Sequence, residues 1–447
     1  MRLRLAFLLF LVTCSNSGSP GPPDPPDPAD PPARPNILVL ITDDQRADAL
    51  REVMPITYRR IVQQGVEFTR AFATTPLCCP SRSSILTGLY ARHHGVRHNS
   101  ALLGPFTVAH RLRDAGYRTG HVGKFLNSWS GAPRVEYDFW VHHHGGYENP
   151  RLNVNGDNVT ASGYVADVLR DHALAFLDQT AAEPTRPFLL FFNPNAPHLP
   201  ATPAAQDAGR FAGHAAHRPP SYDEADVSDK PAWIQALPRL SAEQRAELDR
   251  TRQRQLESLV AVDRAIGALL DRLESQGRLG DTLVIFLSDN GYLWGEHRLT
   301  KKAVAYEESV RVPFALRYPR LVTAPRAESA LVATIDIAPT IYELARVEGA
   351  GSVDGRSLVD LLGGPAGWRD ALLLEAWPDE GGHDPDAPDR SPAWAAVRTD
   401  RHVYIETVGD RSELYDLTAD PFQLENLAED PDQASVVAAL RARLHAF

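Results

Sequence analysis

The chain has 447 residues, 43% of them hydrophobic, and a formal net charge of −11. That length accommodates one large α/β domain with a smaller companion, and the apolar content suffices for a sizeable core. The acidic balance and the lack of a long basic run exclude nucleic-acid binding, which needs clustered Lys and Arg, and any anionic substrate requires a local cationic pocket.

Residues 1–18 read as a signal sequence, so the protein is expected to be exported: extracellular, periplasmic or membrane-anchored. Arg2 and Arg4 supply the positive start, and 5–12 form an apolar run too short to span a bilayer. Leu11-Val12-Thr13-Cys14 resembles a lipoprotein cleavage site. Lipid attachment at Cys14 and ordinary signal cleavage both stay open. Residues 19–35 form a linker with nine prolines between Pro20 and Pro35. At ~3.1 Å per residue it reaches about 50 Å. The cysteines are Cys14, Cys78 and Cys79, and this set implies no disulfide framework.

The folded part is expected to begin at Asn36, with a main domain over 36–365 and a subdomain over 366–447. Residues 37–41, 188–192 and 283–287 are continuous apolar runs, typical of strands buried on both faces. Helical spacing predicts helices over 164–177 and 242–273. The alternation argues for an α/β fold with a large, mostly parallel sheet sandwiched by helices. Such sheets place ligands beyond the carboxyl ends of their strands. After 366 the predicted strands (372–376, 394–398, 402–407) are shorter and more polar, and a helix follows over 434–445. They read as a small antiparallel sheet plus helix.

Two acidic pairs follow predicted strands. Asp43-Asp44 lies after the first, and Asp289-Asn290 after 283–287. Adjacent carboxylates repel unless a cation sits between them. Four hard oxygen ligands at two strand ends suit Ca²⁺ or Mg²⁺ rather than a soft metal. Each pair alone also fits a solvated turn or a helix cap.

The run Cys78-Cys79-Pro80-Ser81-Arg82, continuing to Leu86-Thr87-Gly88, resembles the signature of the type I, formylglycine-dependent sulfatases of the alkaline-phosphatase-like superfamily. The resemblance implies that Cys78 is converted to 3-oxoalanine (formylglycine) by a formylglycine-generating enzyme. One hydroxyl of the aldehyde hydrate, activated by metal, attacks sulfur; loss of a proton from the other reforms the aldehyde and expels sulfate. Arg82 is implied to hold the nucleophile. Gly123-Lys124-Phe125-Leu126-Asn127 resembles the family's Gly-Lys segment in the form found in N-acetylglucosamine-6-sulfatases and heparan 6-O-endosulfatases, with Leu126 where many members have His. It implies that Lys124 contacts sulfate.

Asn195-Ala196-Pro197-His198 resembles the segment whose His donates to the leaving oxygen, implying that role for His198. The run Ser288 to His297 with Lys301-Lys302 implies a sulfate-binding Lys302, with Lys301 as fallback. His297 either lines the pocket or caps its own loop. His94 and Asn99 either reach the pocket or bond locally. The implied metal set is Asp43, Asp44, Asp289, Asn290 and the modified Cys78, holding Ca²⁺ with Mg²⁺ as the alternative. The expected substrate is a sulfated carbohydrate, such as an N-acetylglucosamine-6-sulfate-type sugar. Two other readings stay open: a phosphonate or phosphodiester hydrolase on the same scaffold, and a non-catalytic, membrane-tethered glycan-binding protein.

Overall fold

A computed structural model describes residues 34–447, apart from 128, 348–350, 365–366, 379–383 and 389–390. The signal sequence, Cys14, nearly all of the linker and the expected boundary between 365 and 366 lie outside the described residues. Among the described residues no helix is long and apolar enough to cross a membrane.

The main sheet has ten strands. In chain order they are β1 (Asn36–Thr42), β2 (Val66–Phe68), β3 (Arg118–Gly123), β4 (Phe139–Gly145), β5 (Arg151–Val154), β6 (Asp157–Thr160), β7 (Phe188–Asn193), β8 (Thr282–Ser288), β9 (Phe314–Arg317) and β10 (Arg326–Glu328). Their spatial order is β10-β2-β9-β8-β1-β7-β3-β4-β5-β6. The central five, β8-β1-β7-β3-β4, are all parallel. The β4–β5–β6 flank and the β8–β9–β2 flank pair antiparallel. At the far edge β10 pairs parallel with β2, so the sheet is mixed but mostly parallel, as expected, with five parallel pairings among nine.

The continuous apolar runs have a direct cause. Side chains alternate across a strand, and both faces here are covered. Leu38, Leu40, Leu190, Phe192, Val284 and Phe286 enter one hydrophobic cluster. Ile37, Val39, Leu189, Phe191, Leu283 and Ile285 enter another on the opposite face. The helices used here are α1 (Cys78–Thr87), α2 (Val108–Asp114), α3 (Val165–Ala181), α4 (Ala242–Ser275), α5 (Ile337–Ala345) and α6 (Ala434–His445). Helices α3 and α4 cover the first face, while α1, α2 and α5 cover the second. The long α4 starts at Ser241, whose hydroxyl accepts from the Gln244 N–H while the Gln244 side chain returns to the Ser241 N–H, a capping box.

A second, antiparallel sheet is built from β11 (Ala371–Ala376), β12 (Trp394–Thr399), β13 (His402–Thr407) and β14 (Glu413–Asp416). Its apolar residues and Leu440 and Leu444 of α6 share one cluster with Phe72, Tyr306 and Ile335 of the main body. Residues 34–447 accordingly form one compact unit.

Candidate active site

The five parallel strands deliver their following residues to one edge. Thr42 of β1 is in register with Ser288 of β8, so Asp43-Asp44 and Asp289-Asn290 emerge side by side. Gly123 of β3 is in register with Asn193 of β7 and His142 of β4. Lys124, the 195–198 loop and the histidines ending β4 therefore join the same edge. Gly123 has φ +118°, and a Cβ there would lie 2.0 Å from the Asn193 carbonyl oxygen. Only glycine allows this approach, which also lets the Lys124 N–H donate to that oxygen (2.8 Å).

Cys78 opens α1 and is fully buried. Its Sγ lies 3.5 Å from Asp43 Oδ1, 3.4 Å from Lys124 Nζ and 3.1 Å from Lys302 Nζ. Gly88 ends the helix at φ +75°, hemmed in by Ala338, Pro339 and Val353. Arg82, one turn after Cys78, points the same way because i and i+4 share a helix face. Its Nε donates to Asp289 Oδ2 (2.8 Å), its Nη1 to the Lys124 carbonyl (2.9 Å), and its Nη2 lies 3.5 Å from Asp43 Oδ2. Lys124 Nζ sits 2.5 Å from Asp43 Oδ2. Lys302 Nζ donates to Asp44 Oδ1, and Asn290 Nδ2 donates to the same oxygen (2.7 Å).

Burial raises a carboxylate's pKa and nearby cations lower it. At Asp43 burial is outweighed by Lys124, His198, Arg82 and Lys302, so the carboxyl stays well below its usual range. Asp289 is pushed up to about 6 by burial and by the adjacent Asp43 charge, against the pull of Arg82. Burial pushes the Cys78 thiol well up, despite Lys124 and Lys302 beside it. Burial opposes the charge on Lys302, but Asp386 and Asp44 hold it well above the usual lysine range.

The acidic cluster fits a hard cation. One carboxylate oxygen from each of Asp43, Asp44 and Asp289 lies within 4.8 Å of the others. Asn290 Oδ1 is buried with no hydrogen-bond donor among the described residues, because its Nδ2 takes up the Asp44 contact. Three carboxylates with a spare amide oxygen form the donor set of Ca²⁺ or Mg²⁺.

Each expected site residue now has a place. Asp43, Asp44, Cys78, Arg82, Lys124, Asp289, Asn290 and Lys302 converge, and His198 stands at their open side. Lys301 instead reaches the Ala387 carbonyl (3.3 Å). His297 is fully buried, with Nδ1 2.7 Å from Glu224 Oε2 and its ring stacked 4.0 Å from Tyr306. It does not line the cleft described below, which corrects the expectation of a pocket role: it holds its own loop. His94 bonds locally, to Ser84 Oγ (3.1 Å) and the Val96 N–H (3.1 Å). Asn99 accepts from the Cys79 N–H (2.9 Å) and turns its amide toward Asp386 (3.4 Å).

Asp386 carries no sequence signal. Its Oδ2 lies 3.5 Å from His198 Nε2, 3.6 Å from Lys302 Nζ and 4.0 Å from Cys78 Sγ. Its own carbonyl accepts from the Lys302 N–H (3.3 Å), and the next residue, Ala387, packs against Leu77 and Ala303. The carboxylate is thus a fixed wall of the site. His198 Nδ1 donates to the Leu199 carbonyl (2.8 Å), which turns Nε2 toward Asp386 and the centre. Tyr147 braces the loop by donating to the His198 carbonyl (2.5 Å).

A cleft of about 450 Å³ opens from this centre. Asp43, Lys124 and His198 form its inner end, and Trp129 and His142 to Gly146 its outer wall. The triple histidine before two glycines was visible in the sequence, but only the register with Gly123 shows that it faces Lys124.

Comparison with known proteins agrees with this architecture. The Sulfatase family model matches residues 35–347, and the model for the N-sulphoglucosamine sulphohydrolase C-terminal region matches 295–447. The chain is 32% identical over 366 residues to an extracellular sulfatase SULF-1 homolog of Drosophila melanogaster, covering 77% of this chain. It spans only 32% of that protein, and 52% of a putative extracellular sulfatase of Caenorhabditis elegans. It is 30% identical over 465 residues to the N-acetylglucosamine-6-sulfatase of Homo sapiens, covering 89% of this chain and 82% of the relative. A solved structure in complex with its substrate D-glucosamine-2-N,6-O-disulfate superposes with a TM-score of 0.81 at 25% identity, covering 92% of this chain and 97% of that one.

Proposed function

The chain belongs to the sulfatase family, and on that premise we propose that it hydrolyses sulfate esters of a carbohydrate, with N-acetylglucosamine-6-sulfate-type sugars as its substrate class. One observation carries the reading: Cys78 lies between an acidic cation cluster and two lysines, at the inner end of a sugar-sized cleft. Similarity to amino-sugar sulfatases over most of the chain supports the substrate class.

Asp43, Asp44, Asp289 and Asn290 would hold Ca²⁺, which supplies Lewis-acid activation at the residue-78 oxygen. Formylglycine at position 78 would supply the hydrated aldehyde as nucleophile. Lys124 and Lys302 neutralise the sulfate oxygens and the charge that grows on them. Arg82 keeps Asp43 and Asp289 in place. His198 gives a proton from Nε2 to the departing alcohol oxygen, since an alkoxide leaves poorly.

The test is twofold. Peptide mass across residue 78 should fall by about 18 Da relative to the thiol, from loss of H₂S and gain of O. Purified protein should then release sulfate from N-acetylglucosamine-6-sulfate faster than it cleaves an aryl phosphodiester at equal concentration. A faster diester rate would favour the phosphonate or phosphodiester reading, and glycan binding with no turnover by modified protein would favour the binding module.

Two further outcomes are expected. Chelation should abolish turnover and lower the melting temperature. At a free ion concentration of 100 Kd, binding to the folded state alone adds about 2.7 kcal/mol. An unchanged melting temperature after verified metal removal would argue against a structural cation.

The second outcome concerns pH. Burial and Lys124 push the His198 pKa down, but Asp43, Asp44 and the Asp386 hydrogen bond carry it above its usual value. An acid must be protonated, so activity should fall as pH rises through that pKa. Asp386→Asn removes one raising charge, so this alkaline limb should move to lower pH. A limb that stays put would separate Asp386 from the proton donor.

A further inference from the structure

Beyond the catalytic end, the outer wall of the cleft has a feature that ester cleavage does not need. Strands β4 and β5 pair with a register shift: His143 faces Leu152, and Gly145 faces Arg151. His144 is the extra residue of this bulge. A bulge re-aims a side chain, and here His144 becomes an exposed residue that lines two depressions at once. One is the catalytic cleft. The other, about 420 Å³, is lined by Arg151, Leu152, Asn158, Val159 and Thr160 of the β5–β6 hairpin. The His144 ring is held in place: it stands 4.8 Å from the His142 ring, and a Cβ on Gly131 would lie 2.1 Å from its Cε1.

Arg151 lies over this junction. A Cβ on Gly145 would be 3.7 Å from its Nη2, so the guanidinium lies against a glycine of the catalytic cleft's wall while Arg151 itself lines the second depression. It is exposed, and forms no ion pair or side-chain hydrogen bond with the described residues. Glu148 and Asp157, the acidic residues nearest in sequence, are not its partners. In a chain of net charge −11, most neighbouring arginines pair with carboxylates, as Arg170 does with Asp167 and Arg186 with Asp138. An unpaired fork beside the Asn158 amide and Thr160 hydroxyl suits an anionic oxygen group on a sugar.

We propose that the bulge and hairpin form a second saccharide subsite, in which Arg151 binds an anionic group, carboxylate or sulfate, on a sugar neighbouring the one whose ester is cleaved. The inference rests on the sulfatase reading and deepens it. The preferred substrate is then an acidic oligosaccharide rather than a monosaccharide sulfate, and Arg151 is its specificity-determining residue.

The experiment compares N-acetylglucosamine-6-sulfate with three oligosaccharides carrying the same 6-sulfated sugar, next to a neutral sugar, a uronate or a second sulfated sugar. Wild-type protein is expected to favour an acidic neighbour by on the order of tenfold in kcat/KM, through KM. The uronate and sulfate arms decide which anion is read. Arg151→Ala should erase this preference and leave monosaccharide turnover unchanged, while Arg151→Lys keeps part of it. Equal kcat/KM on neutral and acidic oligosaccharides, or a preference that survives Arg151→Ala, overturns the proposal. If no sulfate ester is cleaved at all, the sulfatase reading fails. Calorimetric binding of the unsulfated uronate oligosaccharide then still decides the subsite: affinity lost in Arg151→Ala supports it, and equal affinity overturns it.

Discussion

Cys78→Ala is expected to lower turnover of a 6-sulfated sugar on the order of 10⁴-fold or more, the scale at which removal of a nucleophile acts. The structure explains why neither alanine nor an unconverted thiol can substitute. The Cys78 side chain is fully buried, and burial holds the thiol neutral even with Lys124 and Lys302 beside it. A neutral thiol is a poor nucleophile. Activity should therefore scale with the fraction of protein carrying the modified residue, measured by peptide mass on the same samples. The alanine variant should fold, because it removes one sulfur from the first turn of α1 and leaves the Arg82 contacts intact. Turnover in a folded Cys78→Ala protein at more than about a hundredth of the wild-type rate would place the nucleophile elsewhere.

Arg82→Ala is expected to destabilise the fold by about 3–5 kcal/mol, the cost of breaking a buried ion pair by removing one partner. Arg82 is 2% exposed, and Asp43 and Asp289 are fully buried. Burial works against its charge, yet Asp289 and Asp43 hold its pKa above the usual arginine range. Without it, two carboxylates stay buried beside Asp44 with only the lysines to balance them. Arg82→Lys should not restore stability. The arginine reaches Asp289, the Lys124 carbonyl and Asp43 with three different nitrogens, and one ammonium on a flexible stem cannot do so. Urea unfolding under fixed metal conditions measures the effect. A loss below about 1 kcal/mol, the range of an exposed pair, would mean that the network carries little of the stability.

Much of the catalytic centre was legible in the chain because its parts sit in short, chemically unusual runs. Asp43-Asp44 and Asp289-Asn290 each follow an apolar stretch typical of a doubly covered strand, and the register of β1 with β8 brings the two pairs together. The resemblance favoured Lys302 with Lys301 as fallback, and it is Lys302 that reaches Cys78 while Lys301 turns to the Ala387 carbonyl. His297 misled because a histidine after Gly-Glu looks available. Its partners Glu224 and Tyr306 are 73 and 9 residues away in the chain, and their contacts with it have no local pattern. The mostly parallel reading of the sheet holds, and only its antiparallel pairings went unread, because they involve short strands such as Val66–Phe68 and Asp157–Thr160, too brief for an apolar period to register.

Residue type, order and local spacing were enough to determine the α/β class and the two acidic pairs at strand ends, while resemblance to the sulfatase signature implied the residue at position 78 and the cations expected around it. Each of these depends on what immediately precedes or follows a strand or opens a helix. Tertiary structure alone decided the rest. Asp386 reaches His198 across 188 residues, His144 is turned outward by a bulge, and Arg151 lies against Gly145 without an acidic partner among the described residues. These relations arise from strand register and from how the C-terminal sheet docks. Both are fixed by long-range packing, which the local order of residues does not encode.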